Sequence, residues 1–94
     1  YNNLVVDFRN ISDMKEIVPT VIMDCTHSVQ RPGAGDAKTV GDRKFVPCMA
    51  LAAKAFGSTG YFFEVHPDPD RGLSDAANML ELNKLEGIIR QLLS

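Results

Sequence analysis

The stretch TVIMDCTH, residues 20–27, decides the fold through its near-continuous apolar run. The run ends in polar side chains capable of chemistry. The run lacks the strict alternation of a half-exposed strand, so it predicts a strand covered on both faces. NLVVDF at 3–8 and GYFFEVH at 60–66 predict two further strands of this kind. Strands of this character are typical of a parallel sheet with helices packed on its faces.

Three helical segments alternate with these strands. The first, DMKEIV at 13–18, follows Ser12, a residue of the N-capping type, and ends before Pro19. The second is RKFVPCMALAAKAFG at 43–57, and the third is NKLEGIIRQLL at 83–93. Their apolar residues recur at helical spacing, at Phe45, Met49, Ala52, Ala53 and Phe56 in one and at Leu82, Leu85, Ile88, Ile89 and Leu92 in the other. The chain therefore alternates strand and helix three times, which indicates an α/β fold.

Length, composition and charge limit the possible functions. A chain of 94 residues, 45% hydrophobic and 23% charged, is too short for more than one domain. Its net charge of -2 comes without a basic cluster, and no apolar run approaches the roughly 20 residues of a membrane span. We therefore expect no nucleic acid and no membrane among its partners.

The cysteines and the first residues predict the compartment. Cys25 in a strand pattern and Cys48 in a helix pattern make a poor disulfide framework and suit a reducing environment. The opening YNNLVVDF has no Met, basic stretch or apolar signal core, so we expect no targeting segment and a start that need not be the natural N-terminus. These features favour a cytoplasmic protein.

Chemically capable residues collect where the strands end. In parallel β/α folds ligands bind at the carboxyl ends of the strands, since the loops converge there. Alternation along a strand puts Cys25 and His27 on one face, and Glu64 on the same face as His66. Imidazole with carboxylate is a common ligand set for zinc, iron or manganese, so the pattern favours a transition-metal site.

Each of these residues also has a purely structural interpretation. His27 at a strand end can simply bond a backbone carbonyl, and Cys25 is more often a small core residue than a ligand. Cys48, on the apolar face of its helix, is expected to be structural. Glu64 is harder to explain in this way, because burying a carboxylate after so apolar a strand costs several kcal/mol unless it is paired or metal-bound.

The loop RPGAGDAKTVGDRK, residues 31–44, invites comparison with a phosphate-binding loop. The P-loop pattern fails, because Ala37 precedes Lys38 and Pro32 stands where the first glycine belongs. A long glycine-containing loop at the functional end of a β/α fold more often covers a substrate, so we expect a lid.

Four segments, NNLVVDF, DCTHSVQRPG, FFEVHPDPD and LSDAANML, closely resemble in order and separation the C-terminal part of the 3-deoxy-D-manno-octulosonate 8-phosphate synthases. The resemblance implies a (β/α)8 TIM barrel, with residues 1–94 as its last three β/α units and the C-terminal part of a single barrel domain. It also implies condensation of phosphoenolpyruvate with arabinose 5-phosphate for lipopolysaccharide precursors, in a homotetramer when full length. Pattern alone does not separate a barrel from an open doubly wound sheet.

The same resemblance implies roles for particular residues. His27, Glu64 and Asp75 match metal ligands of the metal-requiring branch, and the remaining ligand and main phosphate-binding residues lie outside this chain. His27 is also expected to be catalytic and, with Asp24 and Gln30, to bind substrate. The LSDA stretch resembles the branch that binds a divalent transition metal such as zinc, iron or manganese, while a metal-independent form stays open.

Two other functions stay open at this point. A related enzyme that joins phosphoenolpyruvate to erythrose 4-phosphate or an N-acetylated sugar would share the barrel and the logic of the metal site. A non-catalytic α/β module that binds metal or phosphate would share the alternation of strands and helices.

In the family, segments matching 28–42 and 66–75 close over the site. We expect the chain alone to be inactive because half the site is missing.

Overall fold

The computed structural model describes residues 5–30, 42–71 and 78–94, which form a mixed α/β fold. The helices are α1 (Arg9–Lys15), α2 (Val46–Ala55) and α3 (Leu82–Leu93). The strands are β1 (Ile22–Asp24), β2 (Gly60–Phe62), β3 (Val65–His66) and β4 (Leu80–Glu81). Short 3-10 turns lie at His27–Val29, Asp42–Phe45 and Pro69–Arg71.

The predicted parallel sheet is confirmed for the second and third strand segments. β1 pairs with β2 in a register that sets Asp24 opposite Phe62, and the Cys25 N–H donates to the Phe62 carbonyl at 2.9 Å. The third predicted strand is divided, because Phe63 and Glu64 separate β2 from β3. β3 pairs in parallel with β4, a two-residue strand too short to show any periodicity in the sequence.

The first predicted strand is wrong over residues 5–8, the part of it that the structure describes, and the predicted start of the first helix is also wrong. No strand crosses residues 5–8, and Val5 is 88% exposed. β-branched residues favour an extended chain, but a strand also needs a neighbour to hydrogen-bond with. The helix begins at Arg9 instead of residue 13, so Ser12 lies inside it, and the Ser12 Oγ donates to the Phe56 carbonyl at 3.1 Å.

One hydrophobic core joins the helices to one face of the β1–β2 ladder. Met23 is buried on this face, whereas Ile22 on the opposite face is 64% exposed and Phe62 is also exposed. The strands are therefore covered on one face among the described residues, not on both as predicted. The buried apolar residues are Ile11, Val21, Met23, Cys25, Val29, Val46, Ala50, Ala53, Leu80 and Ile88.

The buried face of α2 matches the predicted stripe only in part. Ala53 is fully buried and Met49 packs against the core, as predicted, but Val46 and Ala50 are fully buried as well, whereas Phe45 and Phe56 are exposed. Apolar residues surround this helix on every side, so periodicity does not select one face, and the small alanines allow a close approach to the core. The proline lies in the first turn of α2, as predicted.

The stripe predicted for α3 is partly confirmed. Ile88 is buried, and Leu85 and Leu92 pack against the core, but Leu82 and Ile89 are exposed. With 12 residues α3 is the longest helix in the part of the chain that the structure describes, and no helix there has both the length and the apolar character to cross a bilayer.

The two cysteines have opposite environments. Cys25 is 0% exposed, and burial, with a smaller contribution from the negative charge of Asp24, raises its thiol pKa to about 12. Cys48 is exposed, which corrects the prediction that it lies on the buried apolar face of its helix. Cys25 is thus a core residue, as its structural interpretation expected.

These environments predict selective alkylation. Iodoacetamide attacks the thiolate, so at about pH 8 it should modify Cys48 and leave Cys25 intact in the native protein, as read by peptide mass spectrometry. Protein unfolded in guanidinium chloride serves as the control and should be modified at both residues. Native modification of Cys25 at a rate equal to that of Cys48 would contradict the core placement.

Candidate metal and substrate site

The site begins where the chain leaves β1. The Asp24 Oδ1 accepts the backbone N–H of Thr26 at 3.0 Å and that of His27 at 2.9 Å, which turns the chain out of the strand. The Ser28 Oγ also donates to the Asp24 carbonyl. These bonds initiate the 3-10 turn His27–Val29, and the Gln30 N–H closes it by donating to the His27 carbonyl at 3.1 Å.

The other oxygen of Asp24 holds the imidazole of His27. The His27 Nδ1 lies 2.8 Å from the Asp24 Oδ2. Because an ionised carboxylate only accepts hydrogen bonds, the ring proton of neutral His27 belongs on Nδ1, and Nε2 carries the lone pair. Partial burial alone would raise the pKa of Asp24, but the hydrogen bonds from His27 and Thr26 outweigh it and lower this pKa below its ordinary value.

Glu64 comes to the same place from the end of β2. Its Oε1 lies 3.5 Å from the His27 Nε2, and the His27 ring tilts against the Phe62 ring at a centroid separation of 6.1 Å. The Glu64 N–H donates at 2.7 Å to the Oγ1 of Thr26, a side chain that is only 1% exposed. A bond across the two strand ends therefore fixes the backbone that carries this carboxylate.

The geometry of His27 and Glu64 suits a shared cation. Two donors each about 2.1 Å from a tetrahedral metal lie about 3.4 Å apart. The separation of 3.5 Å between the His27 Nε2 and the Glu64 Oε1 is close to that value. An imidazole whose far nitrogen bonds a carboxylate is also the usual arrangement of a histidine metal ligand. The residues present therefore fit a metal, and both side chains are about one-third exposed, which leaves them accessible.

The third predicted ligand, Asp75, lies outside the described residues. Within residues 5–30, 42–71 and 78–94 no group of three or more His, Cys, Asp and Glu side chains could hold a metal ion. The metal site therefore stays a prediction. The predicted lid, residues 31–44, also lies largely outside the described residues.

The structure contradicts one of the predicted neighbourhoods. Cys25 and His27 do not share a face, because the chain leaves the extended conformation after Asp24 and strand alternation no longer applies. His66 forms a turn of its own, in which its Nδ1 accepts the Asp68 N–H at 2.9 Å.

Sequence reasoning missed Thr26. Its hydroxyl links the turn after β1 to Glu64, the other acidic member of the site. The available signal was a polar residue directly after a buried apolar run, where an unbonded hydroxyl would be costly.

Comparison with known proteins finds a matching family model and a set of relatives that share one name. The model of the DAHP synthetase I family matches residues 1–93. Proteins named 2-dehydro-3-deoxyphosphooctonate aldolase match as well. The protein from Desulfatibacillum aliphaticivorans is 53% identical over 94 residues, covering 100% of this chain and 34% of its own length. Those from Helicobacter acinonychis and Dichelobacter nodosus are 50% and 47% identical, covering 99% and 98% of this chain and 33% of each relative. The chain thus spans about a third of the length of the curated relatives it matches.

The buried Thr26 leads to a stability prediction. Thr26→Val keeps the shape but leaves the Glu64 N–H without its acceptor, so we expect a loss of about 1–3 kcal/mol in the free energy of unfolding. Urea denaturation measures this loss. Thr26→Ser, which keeps the hydroxyl, is the matched control and should lose less. If the valine variant were as stable as the native protein, the hydroxyl bond would not be holding Glu64 in place.

Proposed function

The chain belongs to the DAHP synthetase I family, and from this premise we propose that it supplies the C-terminal third of a 3-deoxy-D-manno-octulosonate 8-phosphate synthase. The proposed reaction condenses phosphoenolpyruvate with arabinose 5-phosphate. The single observation that carries it is that His27 and Glu64 face each other at the ends of paired parallel strands. The chain that holds this pair is 53% identical to a relative named 2-dehydro-3-deoxyphosphooctonate aldolase.

In this reaction C3 of phosphoenolpyruvate bonds to the aldehyde carbon of the sugar, water adds at C2, and phosphate leaves by C–O cleavage. In the metal-independent form of the proposal, His27 would act as the catalytic residue by holding or moving a proton at Nε2, the nitrogen that faces Glu64. In the metal-binding form the lone pair of this nitrogen would bind the metal instead. Asp24, His27 and Gln30 are the residues of this chain that we propose for substrate binding, since they meet at one turn beside the exposed imidazole.

We extend the proposal to the fold and assembly. The described elements would be the last three β/α units of a (β/α)8 TIM barrel, so that residues 1–94 form the C-terminal part of one barrel domain. The parallel β1–β2 and β3–β4 pairs support this, as do Ile22 and Phe62, which no described helix covers. The full-length enzyme would be a cytoplasmic homotetramer that acts on small molecules in lipopolysaccharide precursor synthesis.

His27, Glu64 and Asp75 are the residues that would hold a divalent transition metal such as zinc, iron or manganese. The spacing of the first two and the carboxylate behind His27 support this. When bound, such a metal supplies Lewis-acid polarisation of an oxygen or lowers the pKa of a coordinated water. A metal-independent enzyme is the alternative form of the proposal.

The family description favours one second candidate. It names a different synthetase, so condensation of phosphoenolpyruvate with erythrose 4-phosphate is the competing activity. Both candidates require the same histidine and carboxylate, and they differ in the aldehyde that the site accepts.

Turnover with different aldehydes tests the function. The protein carrying this chain, or a chimera in which the chain replaces the matching third of the D. aliphaticivorans relative, should release phosphate from phosphoenolpyruvate with arabinose 5-phosphate. The rate should exceed that with erythrose 4-phosphate or N-acetylmannosamine on the order of tenfold or more. The isolated 94-residue chain should be inactive, and faster turnover with erythrose 4-phosphate would favour the second candidate.

Zinc affinity tests the ligand assignment. Glu64→Gln removes a charged donor, so the dissociation constant for Zn²⁺ in chelator competition should rise by at least the roughly 10–100-fold that follows loss of an outer-shell partner. Glu16→Gln, at an exposed position after α1, makes the same chemical change and should leave affinity unchanged. Equal affinity in the two variants, with the native protein active without metal, would favour the metal-independent form.

A further inference from the structure

We propose that Asp24 is a positioning residue, which sets the tautomer and the direction of the His27 ring so that the Nε2 lone pair points at the Glu64 carboxylate. This role deepens the proposed function. Only the chemistry assigned to His27 rests on that function, because the tautomer and the direction of the ring do not depend on it. It is additional to the substrate contact proposed above for Asp24, because in this role Asp24 acts through another side chain.

The first support is that the two carboxylate oxygens of Asp24 accept hydrogen bonds from different groups. The Oδ1 accepts two backbone N–H groups, those of Thr26 at 3.0 Å and His27 at 2.9 Å. The Oδ2 accepts the ring Nδ1 of His27 at 2.8 Å. One carboxylate therefore holds the backbone and the ring of the same histidine, and its own orientation is set by three donors.

The second support is the attachment of Asp24 to the sheet. His27 lies in a 3-10 turn, whereas Asp24 is the last residue of β1 and lies opposite Phe62 in the parallel ladder. Glu64 is held to the same ladder through Thr26. The carboxylate of Asp24 and the backbone that carries the Glu64 carboxylate are thus both tied to the paired ends of β1 and β2, and the His27 ring lies between them.

A purely structural role for Asp24 makes a different prediction. If Asp24 only caps the turn, Asp24→Asn should change little beyond stability, because the amide oxygen still accepts the two backbone N–H groups. A positioning role predicts more. With its oxygen used by the backbone, the new amide in this variant turns its NH₂ group toward the Nδ1 of His27 and donates to it. The ring proton then moves to Nε2, and the lone pair that faced Glu64 is lost.

The tautomer can be measured directly in metal-free, ¹⁵N-histidine-labelled protein carrying this chain. The spectra are recorded at rising pH until the ¹⁵N shifts of the ring show its neutral form. The native protein should show a pyrrole-type Nδ1 and a pyridine-type Nε2 at His27, whose signal the His27→Gln variant identifies. Asp24→Asn should exchange the two types, while Asp13→Asn, at an exposed position on α1, should leave them as in the native protein.

Zinc binding gives a second readout. Loss of the Nε2 lone pair should weaken Zn²⁺ affinity of Asp24→Asn by about 10–100-fold, and Asp13→Asn should bind as the native protein does. A protonated Nε2 in the neutral native ring would overturn the proposal, and this measurement needs no variant to fold. An Asp24→Asn variant that keeps both the native tautomer and the native Zn²⁺ affinity would also overturn it.

The two proposals fail separately. A native protein with the expected tautomer but no condensation with any of the three aldehydes would support the positioning role and overturn the proposed function. An active protein in which the proton of the neutral ring lies on Nε2 would support the function and overturn the positioning role.

Discussion

The parallel pairing of β1 with β2, in the register that sets Asp24 opposite Phe62, is the constraint on which the rest of the structure depends. It places the Cys25 N–H on the Phe62 carbonyl and brings the hydroxyl of Thr26 to the backbone of Glu64. A slip of one residue would exchange the buried and exposed faces of β1 and separate these groups. The core and the candidate site therefore share one register.

Residues 24–27 make both local contacts and contacts with residues far away in the sequence. Asp24 acts locally, because its carboxylate organises the turn that immediately follows it. Thr26 acts at long range, since its buried hydroxyl meets a residue 38 positions later in the chain. Cys25 between them fills the core, and its raised thiol pKa is a consequence of that burial. The end of the strand, the start of the turn and a part of the core thus fall within these four residues.

Much of the fold could be predicted where the signal was long and periodic. The parallel pairing of two strands, the extent of the third helix and the proline in the first turn of α2 follow from apolar runs and backbone chemistry. The first strand and β4 could not be predicted in the same way. A strand exists through hydrogen bonds to a neighbour, and neither the propensity of residues 3–8 nor the two residues of β4 specify one.

The sequence by itself determined the chemical inventory and its order: an imidazole after one apolar strand and a carboxylate after the next, with a turn-forming aspartate before the imidazole. Only the tertiary structure decided the partners, because contacts between strand ends depend on register and on where the chain leaves the extended conformation. The turn after Asp24 directs Cys25 into the core and His27 toward Glu64, so side chains expected on one face separate. Local alternation predicts directions only as long as the strand continues.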